Sequence, residues 1–346
     1  GFIMKIAFFD AKAYDMESFS DINRNYGYKI KYFETKLNTD SAPLTVGYDV
    51  VCVFVNDYIN EEVIDILVSN GVKLIALRCA GFNNVDFKAC EGRIKVVRVP
   101  EYSPYAVAEH TMGLMMTLNR KTHKAYQRTK EANFTLNGLL GFDFYGKTAG
   151  IIGTGKISSI LIKILNGLGV KVIAYDPFPR KELQSNLDFE YVSLDELYKN
   201  SDIISLHCPL TSDTKYIINS NNISKMKDGV MIINTGRGKL INTIDLIEGL
   251  KSKKIGAAGL DVYEEEADYF FEDHSTEILD DDVLARLLTF NNVIVTSHQA
   301  FFTKEALSNI AETTLKSVSE LESAKKLSYE IAYVCENGNC SPKDIK

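Results

Sequence analysis

The fold is decided by the run Gly150-Ile151-Ile152-Gly153-Thr154-Gly155-Lys156-Ile157-Ser158, in which an apolar block meets glycines and then a helix-like segment. A strand followed at once by a glycine-rich turn and a helix N-terminus presents backbone N–H groups and a helix dipole to an anion. We therefore predict a pyrophosphate site at this turn, formed by Gly153, Thr154, Gly155, Lys156 and Ile157. Ser158 stands where such turns carry a third glycine, and its small side chain allows close packing of helix on strand.

An acidic residue follows the next apolar block. Asp176 lies 23 residues after Gly153. This is near the spacing of about 20 residues expected for the carboxylate that accepts the ribose 2′-hydroxyl of a dinucleotide. A carboxylate at this place repels a 2′-phosphate, so the predicted cofactor is NAD. Arg180, close by in the sequence, keeps NADP open as the alternative, and a solvated turn aspartate before Pro177 is the structural alternative.

Short apolar blocks recur along the chain and alternate with helix-like segments. A first series comprises residues 5–9, 30–33, 50–55, 74–77 and 95–99, and a second comprises 149–152, 170–175, 203–206, 230–233, 255–260 and 293–296. Near-continuous apolar blocks in a βαβ rhythm indicate parallel strands that are buried on both faces. At roughly 150 residues per domain, 346 residues accommodate two such α/β domains.

Helical segments connect and follow the two series. Ser103-Pro104, an N-cap followed by proline at the first helical position, opens a long helix with methionines at core spacing. We interpret His110 and His123 as core histidines of this helical region. A second helix is predicted over residues 304–321, and the tail from Asn337 to Lys346 is expected to be frayed.

The charge and hydropathy of the chain exclude two classes of partner. Asp and Glu number 46 against 39 Lys and Arg, a net charge of −7, which repels phosphate backbones and argues against nucleic acid. No apolar run approaches the roughly 18 residues needed to cross a bilayer, so no membrane insertion is expected. The start of the sequence lacks the pattern of a secretory signal, which predicts a cytoplasmic protein.

The cysteines and the clustered acids suggest neither a disulfide framework nor a metal site. None of the six cysteines forms a C-x-x-C pair, and only Cys335 and Cys340 lie close together, so we predict reduced thiols. Glu272, Asp273 and His274 are adjacent rather than spaced to converge on an ion, so no metal is predicted.

Polar residues follow the later apolar blocks, at the strand ends where open parallel sheets bind ligands. Arg237 offers a fork-shaped cation for a carboxylate, and His298 offers a proton donor for a forming alkoxide. A carboxylate beside His298 would orient its ring, but the sequence does not choose among the acids at 264–266. This set suits hydride transfer to a 2-oxo acid.

Each of these residues also has a structural alternative. Arg237 could cap a turn, His298 could be a satisfied interior histidine, and the acids could form a solvated loop. His207 is interpreted as structural or cofactor-adjacent rather than catalytic.

Several motifs together resemble those of a known family. They are residues 77–86 (Leu-Arg-Cys-Ala-Gly-Phe-Asn-Asn-Val-Asp), 150–157, 207–211 (His-Cys-Pro-Leu-Thr), 234–238 (Asn-Thr-Gly-Arg-Gly), 261–264 (Asp-Val-Tyr-Glu) and 298–302 (His-Gln-Ala-Phe-Phe). The chain resembles the D-2-hydroxyacid dehydrogenase family over nearly its whole length, and within it the fermentative D-lactate dehydrogenases. The resemblance implies two doubly wound parallel-sheet domains: a Rossmann NAD domain, residues 103–299, inserted into a flavodoxin-like substrate domain, residues 1–102 plus 300–346.

The resemblance also implies the roles of site residues. Arg237 would bind the substrate carboxylate and carbonyl, His298 would be the acid/base, and Glu266 would pair with His298. Backbone amides of Ala80 and Gly81 would bind the substrate carboxylate, with the aromatics Tyr102 and Phe301 beside the substrate's C3 group. The implied cofactor contacts outside the glycine turn are Asp176, Cys208, Pro209, Thr214, Thr235, Gly236 and Asp261.

By the same resemblance, the expected activity is the reduction of pyruvate to D-lactate by NADH, in a homodimer or homotetramer. Two alternatives remain open at this point. One is a dehydrogenase for a larger 2-oxo acid or for phosphoglycerate, and the other is a non-enzymatic NADH-sensing interaction module.

Overall fold

A computed structural model describes residues 2–343 of the chain. The contacts within it divide the chain into two compact units. The first unit comprises the residues up to Ser103 together with those from Phe302 onward, and the second comprises Pro104–Phe301. These boundaries lie within two residues of those expected from the sequence.

The first unit is built on a parallel sheet in the order β2-β1-β3-β4-β5. Its strands are β1 (Lys5–Phe8), β2 (Lys29–Tyr32), β3 (Val50–Val53), β4 (Leu74–Leu77) and β5 (Lys95–Val97). All four residues of β3 and of β4 are buried, because helices cover both faces of the sheet centre. The order is that of flavodoxin-like folds, as expected.

The helices of the first unit are α1 (Ala13–Asn23), α2 (Glu61–Ser69), α3 (Phe87–Cys90) and α12 (Lys304–Glu322). Helix α2 begins after Asn60, whose side chain accepts a hydrogen bond from the Val63 N–H at 2.9 Å. Helix α12 packs against α1. The C-terminal part of the chain therefore returns to the domain that the N-terminal part begins.

The second unit contains a seven-stranded parallel sheet in the order β12-β11-β10-β9-β6-β7-β8. The strands are β6 (Thr148–Ile152), β7 (Lys171–Tyr175), β8 (Glu190–Tyr191), β9 (Ile203–Leu206), β10 (Val230–Asn234), β11 (Ile255–Leu260) and β12 (Val293–Val295). The six predicted strands are present, but the prediction of six strands in total is wrong. Strand β8 was missed because it has two residues, with no apolar block to mark it.

The second unit has eight helices within the described residues: α4 (Pro104–Arg120), α5 (Thr122–Lys130), α6 (Lys156–Gly167), α7 (Lys181–Gln184), α8 (Leu194–Asn200), α9 (Ser220–Ser224), α10 (Thr243–Lys251) and α11 (Asp282–Leu288). Helix α4 packs against α6, β10 and β11, and buries Met115 as predicted. The interpretation of His123 as a core residue is wrong: it is exposed on α5, a polar helix that buries none of its residues. None of the helices in residues 2–343 has the length and apolar character needed to span a membrane.

The C-terminal tail forms an antiparallel hairpin of β13 (Tyr333–Glu336) and β14 (Asn339–Pro342). The prediction of a frayed tail is therefore wrong up to residue 343, and residues 344–346 lie outside the described part. The prediction of reduced thiols is wrong for one pair, because Cys335 and Cys340 are joined by a disulfide. The two-residue turn between the strands places these cysteines directly opposite one another, which spacing alone did not reveal.

Candidate active site

The predicted cofactor and catalytic residues of the second unit follow strands of a single sheet, at the edge where the strands' carboxyl ends lie. We call it the carboxyl edge. Along it come His298 after β12, Asp261 after β11, Arg237 after β10, Cys208 after β9, Gly153 after β6 and Asp176 after β7. Because neighbouring strands lie about 4.8 Å apart, the edge brings together residues far apart in sequence.

The glycine turn after β6 presses closely against the end of β9. Gly153 has a φ of +90°, and a Cβ there would lie 2.7 Å from the backbone oxygen of His207. Ser158, at the third-glycine position, is fully buried, and its Oγ donates a hydrogen bond to the Gly153 oxygen at 2.6 Å. Gly155 precedes α6 and has open space where a Cβ would stand. The turn thus leaves room for an anion at the N-terminus of a twelve-residue helix.

Asp176 is fixed at the end of β7 by three hydrogen bonds. Its Oδ2 accepts from the backbone N–H and the hydroxyl of Thr154, both at 2.8 Å, and its Oδ1 accepts from the Phe178 N–H at 2.9 Å. The half-buried carboxylate therefore lies beside the glycine turn. An anion-binding helix N-terminus next to a strand-end acid fits a dinucleotide, so these residues suit NAD.

The segment after β9 is stabilised by hydrogen bonds from its own side chains and those of β9. Burial raises the pKa of the Cys208 thiol to about 11, so this residue is a neutral thiol. The hydroxyl of Thr214 donates to the Pro209 oxygen at 2.6 Å and closes the loop that begins at Cys208. Burial lowers the pKa of His207 to about 4, and its Nε2 lies 2.7 Å from the Ser205 hydroxyl. His207 is thus neutral and partly buried.

The turn that carries Arg237 is organised by the preceding asparagine. Asn234 Nδ2 donates to the Arg237 oxygen at 2.9 Å, and its Oδ1 accepts from the Gly236 N–H at 3.0 Å. Gly238 lies so close to the chain after β11 that a Cβ there would be 2.2 Å from the carbonyl carbon of Tyr263. The Arg237 side chain is exposed at this turn, as a residue that binds a ligand requires.

The turn that carries His298 depends on a buried carboxylate. His298 has a φ of +50°, in the left-handed region that residues with a side chain rarely adopt. The carboxylate of Asp261, fully buried, accepts from the N–H groups of Gln299 at 2.8 Å and Ala300 at 2.9 Å and from the Thr296 hydroxyl at 2.6 Å. The His298 N–H donates to the backbone oxygen of Asp261 at 2.8 Å.

Among the three consecutive glutamates, Glu266 is the one that contacts His298. Its Oε2 lies 2.5 Å from His298 Nδ1. Glu264 points elsewhere and accepts from the hydroxyl of Thr243 at 2.6 Å. The His298 side chain is 33% exposed, so its ring is accessible while it is held by the carboxylate. The contact is the one that the family resemblance implies, where the residues alone left the choice among 264–266 open.

The predicted substrate residues of the first unit lie at the carboxyl end of β4. The Ala80 N–H donates to the Tyr102 hydroxyl at 2.8 Å, and the Ala80 oxygen accepts from Arg98 Nη1 at 3.1 Å. Gly81, the next residue, has open space where a Cβ would stand. Ala80 and Tyr102 are therefore neighbours, and Phe301 is half-buried near the end of the second unit.

Two residues of α4 that the sequence did not assign to the site contact both catalytic turns. The Thr111 hydroxyl lies 3.0 Å from that of Thr235, and His110 Nε2 lies 3.2 Å from the Thr296 hydroxyl. Burial lowers the pKa of His110, although nearby Asp261 opposes this effect. Reading His110 as a core histidine missed this contact, because only the crossing of α4 over the sheet creates it.

Comparison with known proteins agrees with this geometry. The family model described as D-isomer specific 2-hydroxyacid dehydrogenase, NAD binding domain, matches residues 112–300. The chain is 52% identical over 335 residues to a 2-hydroxyacid dehydrogenase homolog of Haemophilus influenzae, covering 96% of this chain and 98% of that protein. It is 50% identical over 329 residues to the D-lactate dehydrogenase of Escherichia coli, covering 95% and 100%. The solved structure of the pyruvate reductase of Chlamydomonas reinhardtii matches with a TM-score of 0.90 at 42% identity, covering 94% and 98%.

These matches confirm the predicted fold class, the resemblance and the choice of NAD. The matched region coincides with the unit whose carboxyl edge bears the glycine turn, Asp176, Arg237 and His298. The chain therefore belongs to the D-isomer specific 2-hydroxyacid dehydrogenase family, with residues 112–300 as its NAD-binding domain.

Proposed function

We propose that this chain is a D-lactate dehydrogenase that reduces pyruvate. The observation that carries the proposal is the pair of His298 and Glu266 after β12 and β11, on the same edge as Arg237 after β10. A proton donor and a carboxylate-binding cation are the two groups that reduction of a 2-oxo acid requires. Relatives named D-lactate dehydrogenase and pyruvate reductase support this choice of substrate.

In the proposed mechanism, His298 protonates the carbonyl oxygen of pyruvate. Glu266 holds Nδ1 of the ring, which leaves Nε2 to face the reactant. A carboxylate at Nδ1 fixes the ring orientation and stabilises the positive charge of the protonated imidazole. General acid catalysis of this kind contributes about 10²–10⁴-fold in rate.

Arg237 would bind the substrate carboxylate and polarise the carbonyl. Its guanidinium offers parallel N–H donors, and the glycines on either side let the backbone approach a ligand. The family resemblance also implies backbone amides of Ala80 and Gly81 as donors to a substrate carboxylate. The Ala80 N–H, which donates to the Tyr102 hydroxyl here, would donate to the substrate instead, and Tyr102 would lie beside the C3 group.

When bound, NADH supplies the hydride. The glycine turn of Gly153, Thr154 and Gly155, with Lys156 and Ile157 at the N-terminus of α6, would bind the pyrophosphate, and Asp176 would accept the ribose hydroxyl. The carboxyl-edge residues that would orient the nicotinamide half are Cys208, Pro209, Thr214, Thr235, Gly236 and Asp261. These residues lie between the glycine turn and the catalytic pair along the sheet.

The test is the oxidation of NADH by pyruvate, followed by absorbance, with chiral analysis of the product. We expect turnover and D-lactate as the only enantiomer. A failure of every 2-oxo acid to oxidise NADH, despite NADH binding, would favour the NADH-sensing alternative.

The second candidate is a dehydrogenase for larger 2-oxo acids. The relative named 2-hydroxyacid dehydrogenase homolog supports it, because that name specifies no single 2-hydroxy acid. Two aromatic side chains, Tyr102 and Phe301, would restrict the space beside C3. Because one methylene of misfit changes binding by about 1–3 kcal/mol, kcat/KM for 2-oxobutyrate should be roughly 10–200-fold below that for pyruvate. A kcat/KM for phenylpyruvate equal to that for pyruvate would select the second candidate.

We also propose that the protein is a cytoplasmic homo-oligomer. Large apolar side chains between α5 and β6 are exposed, including Phe134 at 74%, Leu136 at 81% and Leu140 at 89%, which suits contact with a second copy. Light scattering should give a multiple of the chain mass, and Leu136→Asp with Leu140→Asp should reduce it. Four buried cysteines that form no disulfide, Cys52, Cys79, Cys90 and Cys208, suit a reducing compartment.

A further inference from the structure

The C-terminal hairpin carries a disulfide on its exposed part. Its turn, Asn337–Gly338, has positive φ at both residues (+50° and +81°), the conformation of a tight two-residue hairpin. Cys335 and Cys340 are paired across the two strands and bonded, and both are partly exposed. A small molecule can therefore reach this disulfide.

The hairpin is packed against the segment that follows the Ala80–Gly81 loop. The Tyr333 ring lies 4.8 Å from that of Phe87 in α3, and the Phe87 ring lies 5.6 Å from that of Phe82. The guanidinium of Arg98 lies 5.2 Å from the Phe82 ring, and its Nη1 donates to the Ala80 oxygen. Contiguous contacts thus join the disulfide-bearing hairpin to the loop.

We propose that Cys335–Cys340 is a thiol–disulfide exchange site for small thiols of the glutathione class, and that its redox state adjusts the affinity for the 2-oxo acid. The second half of the proposal rests on the substrate-binding role proposed above for Ala80 and Gly81. A disulfide in a protein of a reducing compartment is more often a regulatory than a structural bond. Reduction leaves the hairpin without its covalent cross-link, and a two-stranded hairpin alone is marginally stable.

The exchange is balanced without any further reactant. The thiolate of one small thiol attacks a sulfur of the pair, forms a mixed disulfide and releases the other cysteine as a thiolate, which takes up a proton. A second small thiol attacks the mixed disulfide and releases the second cysteine and a small-molecule disulfide. Two electrons and two protons pass to the protein, and oxidation is the reverse.

The four other cysteines are poorly suited to the same reaction. All four are buried, which denies access to a small thiol. Burial also raises the pKa of Cys90 to about 12, so its reactive thiolate is scarce. Cys90 lies in α3, which contacts β14 of the hairpin, and Cys90→Ala is therefore a matched control.

Glu91 allows a second test of the exchange reaction. Its exposed carboxylate has an oxygen within 4.8 Å of both sulfurs. A negative charge beside a thiol disfavours its thiolate, so Glu91→Gln should raise the thiolate fraction of the reduced pair and speed its exchange.

The experiment equilibrates the full chain in glutathione buffers of graded redox ratio, traps free thiols with iodoacetamide and measures each cysteine by mass spectrometry. KM for pyruvate and for NADH and kcat are measured in the same buffers. We expect Cys335 and Cys340 to convert together while Cys90 stays protonated and unmodified in the folded protein. KM for pyruvate should change by about 5-fold or more between the two states, with KM for NADH constant.

Three variants sharpen the outcome. The Cys335→Ser, Cys340→Ser double variant should have the KM of the reduced protein at every ratio, whereas Cys90→Ala should respond as the parent does. Phe87→Leu should still exchange its disulfide but lose the response of KM. A pair that stays oxidised at every ratio, or two states with one KM for pyruvate, would overturn the proposal. A parent without pyruvate turnover would instead refute the proposed function, while the trapping data would still report the exchange.

Discussion

The turn that carries Arg237 and the turn that carries His298 follow strands β10 and β12 of one sheet, with only β11 between them, but they are held in different ways. The Arg237 turn is held from within: Asn234 bonds both Gly236 and the Arg237 backbone, and Gly238 fits where no Cβ could. The His298 turn contains no glycine, and the carboxylate of Asp261, which follows β11, imposes its shape.

The difference shows which contacts fix the position of each functional side chain. A left-handed residue with a side chain costs about 1–2 kcal/mol, so the His298 conformation needs support from outside. Asp261 provides it by accepting three hydrogen bonds inside the protein, from Thr296, Gln299 and Ala300. The proposed acid/base therefore depends on a distant residue, whereas the substrate-binding arginine depends on its own neighbours.

The largest expected effect comes from the chemistry of the His298 turn. His298→Gln keeps a side chain of similar size but removes the proton donor, so kcat should fall about 10²–10⁴-fold. NADH affinity, measured by fluorescence, should stay unchanged. If the variant kept more than about half of the parent's turnover when chemistry limits the rate, His298 would not be the acid.

Arg237→Lys tests the other turn and should produce the next largest effect. Lysine is a point charge and loses the two-pronged contact with a carboxylate, whose charged hydrogen bond contributes about 1.5–3 kcal/mol. KM for pyruvate should therefore rise roughly 10–150-fold, with KM for NADH serving as the internal control. A KM for pyruvate equal to that of the parent would remove Arg237 from the substrate site.

The Arg237 turn could be predicted from the sequence better than the His298 turn could. Glycines on both sides of Arg237 and the glycine turn at 153–155 are local signals of close backbone approach, and the structure has them there. The left-handed conformation of His298 depends on contacts with the chain after β11, which no local pattern records. The pairing of Glu266 with His298 was implied only by the family resemblance, and not by the residues themselves.

The same distinction explains most errors in the fold. The short apolar blocks predicted eleven strands correctly. Burial on both faces gives the strongest local signal in the central strands β3, β4 and β10. Strand β8 and the C-terminal hairpin depend on pairing with other strands or on a two-residue turn, and both were missed. The contacts of His110 and Thr111 arise only when α4 crosses the sheet.

Asp261→Asn should weaken the His298 turn specifically. The amide can keep the oxygen that faces Thr296 and Gln299, but its NH₂ group then meets the Ala300 N–H, donor against donor. Such an unsatisfied buried group costs about 1–3 kcal/mol in the free energy of unfolding, and kcat should fall as well.

Asp202→Asn is the matched control, because Asp202 accepts from the Thr148 N–H near the opposite end of the strands. It should lower stability in urea unfolding without lowering kcat. An equal loss of kcat in both variants would mean that Asp261 acts only through global stability.

Gly238→Ala makes the corresponding test of the Arg237 turn. The new Cβ would meet the backbone of Tyr263 and Glu264, so the turn must shift, at a cost of about 1–3 kcal/mol. KM for pyruvate should rise while kcat changes less. Gly113→Ala, in α4 with open space at its Cβ, should leave both parameters unchanged; a Gly238→Ala variant as active and stable as the parent would show that the turn tolerates the shift.

The smallest effects should come from α4, where adjacent residues support different turns. Thr111→Val removes the contact with Thr235, two residues before Arg237, and His110→Leu removes the contact with Thr296, two residues before His298. A neutral hydrogen bond contributes about 0.5–1.5 kcal/mol, so each change should be roughly 2–12-fold. Thr111→Val should act mainly on KM for pyruvate and His110→Leu mainly on kcat.

In a Thr235→Val background, Thr111→Val should have no further effect, because its partner is already gone. If both substitutions changed the same parameter, the two turns would be coupled through α4, and their separate modes of support would no longer describe the site.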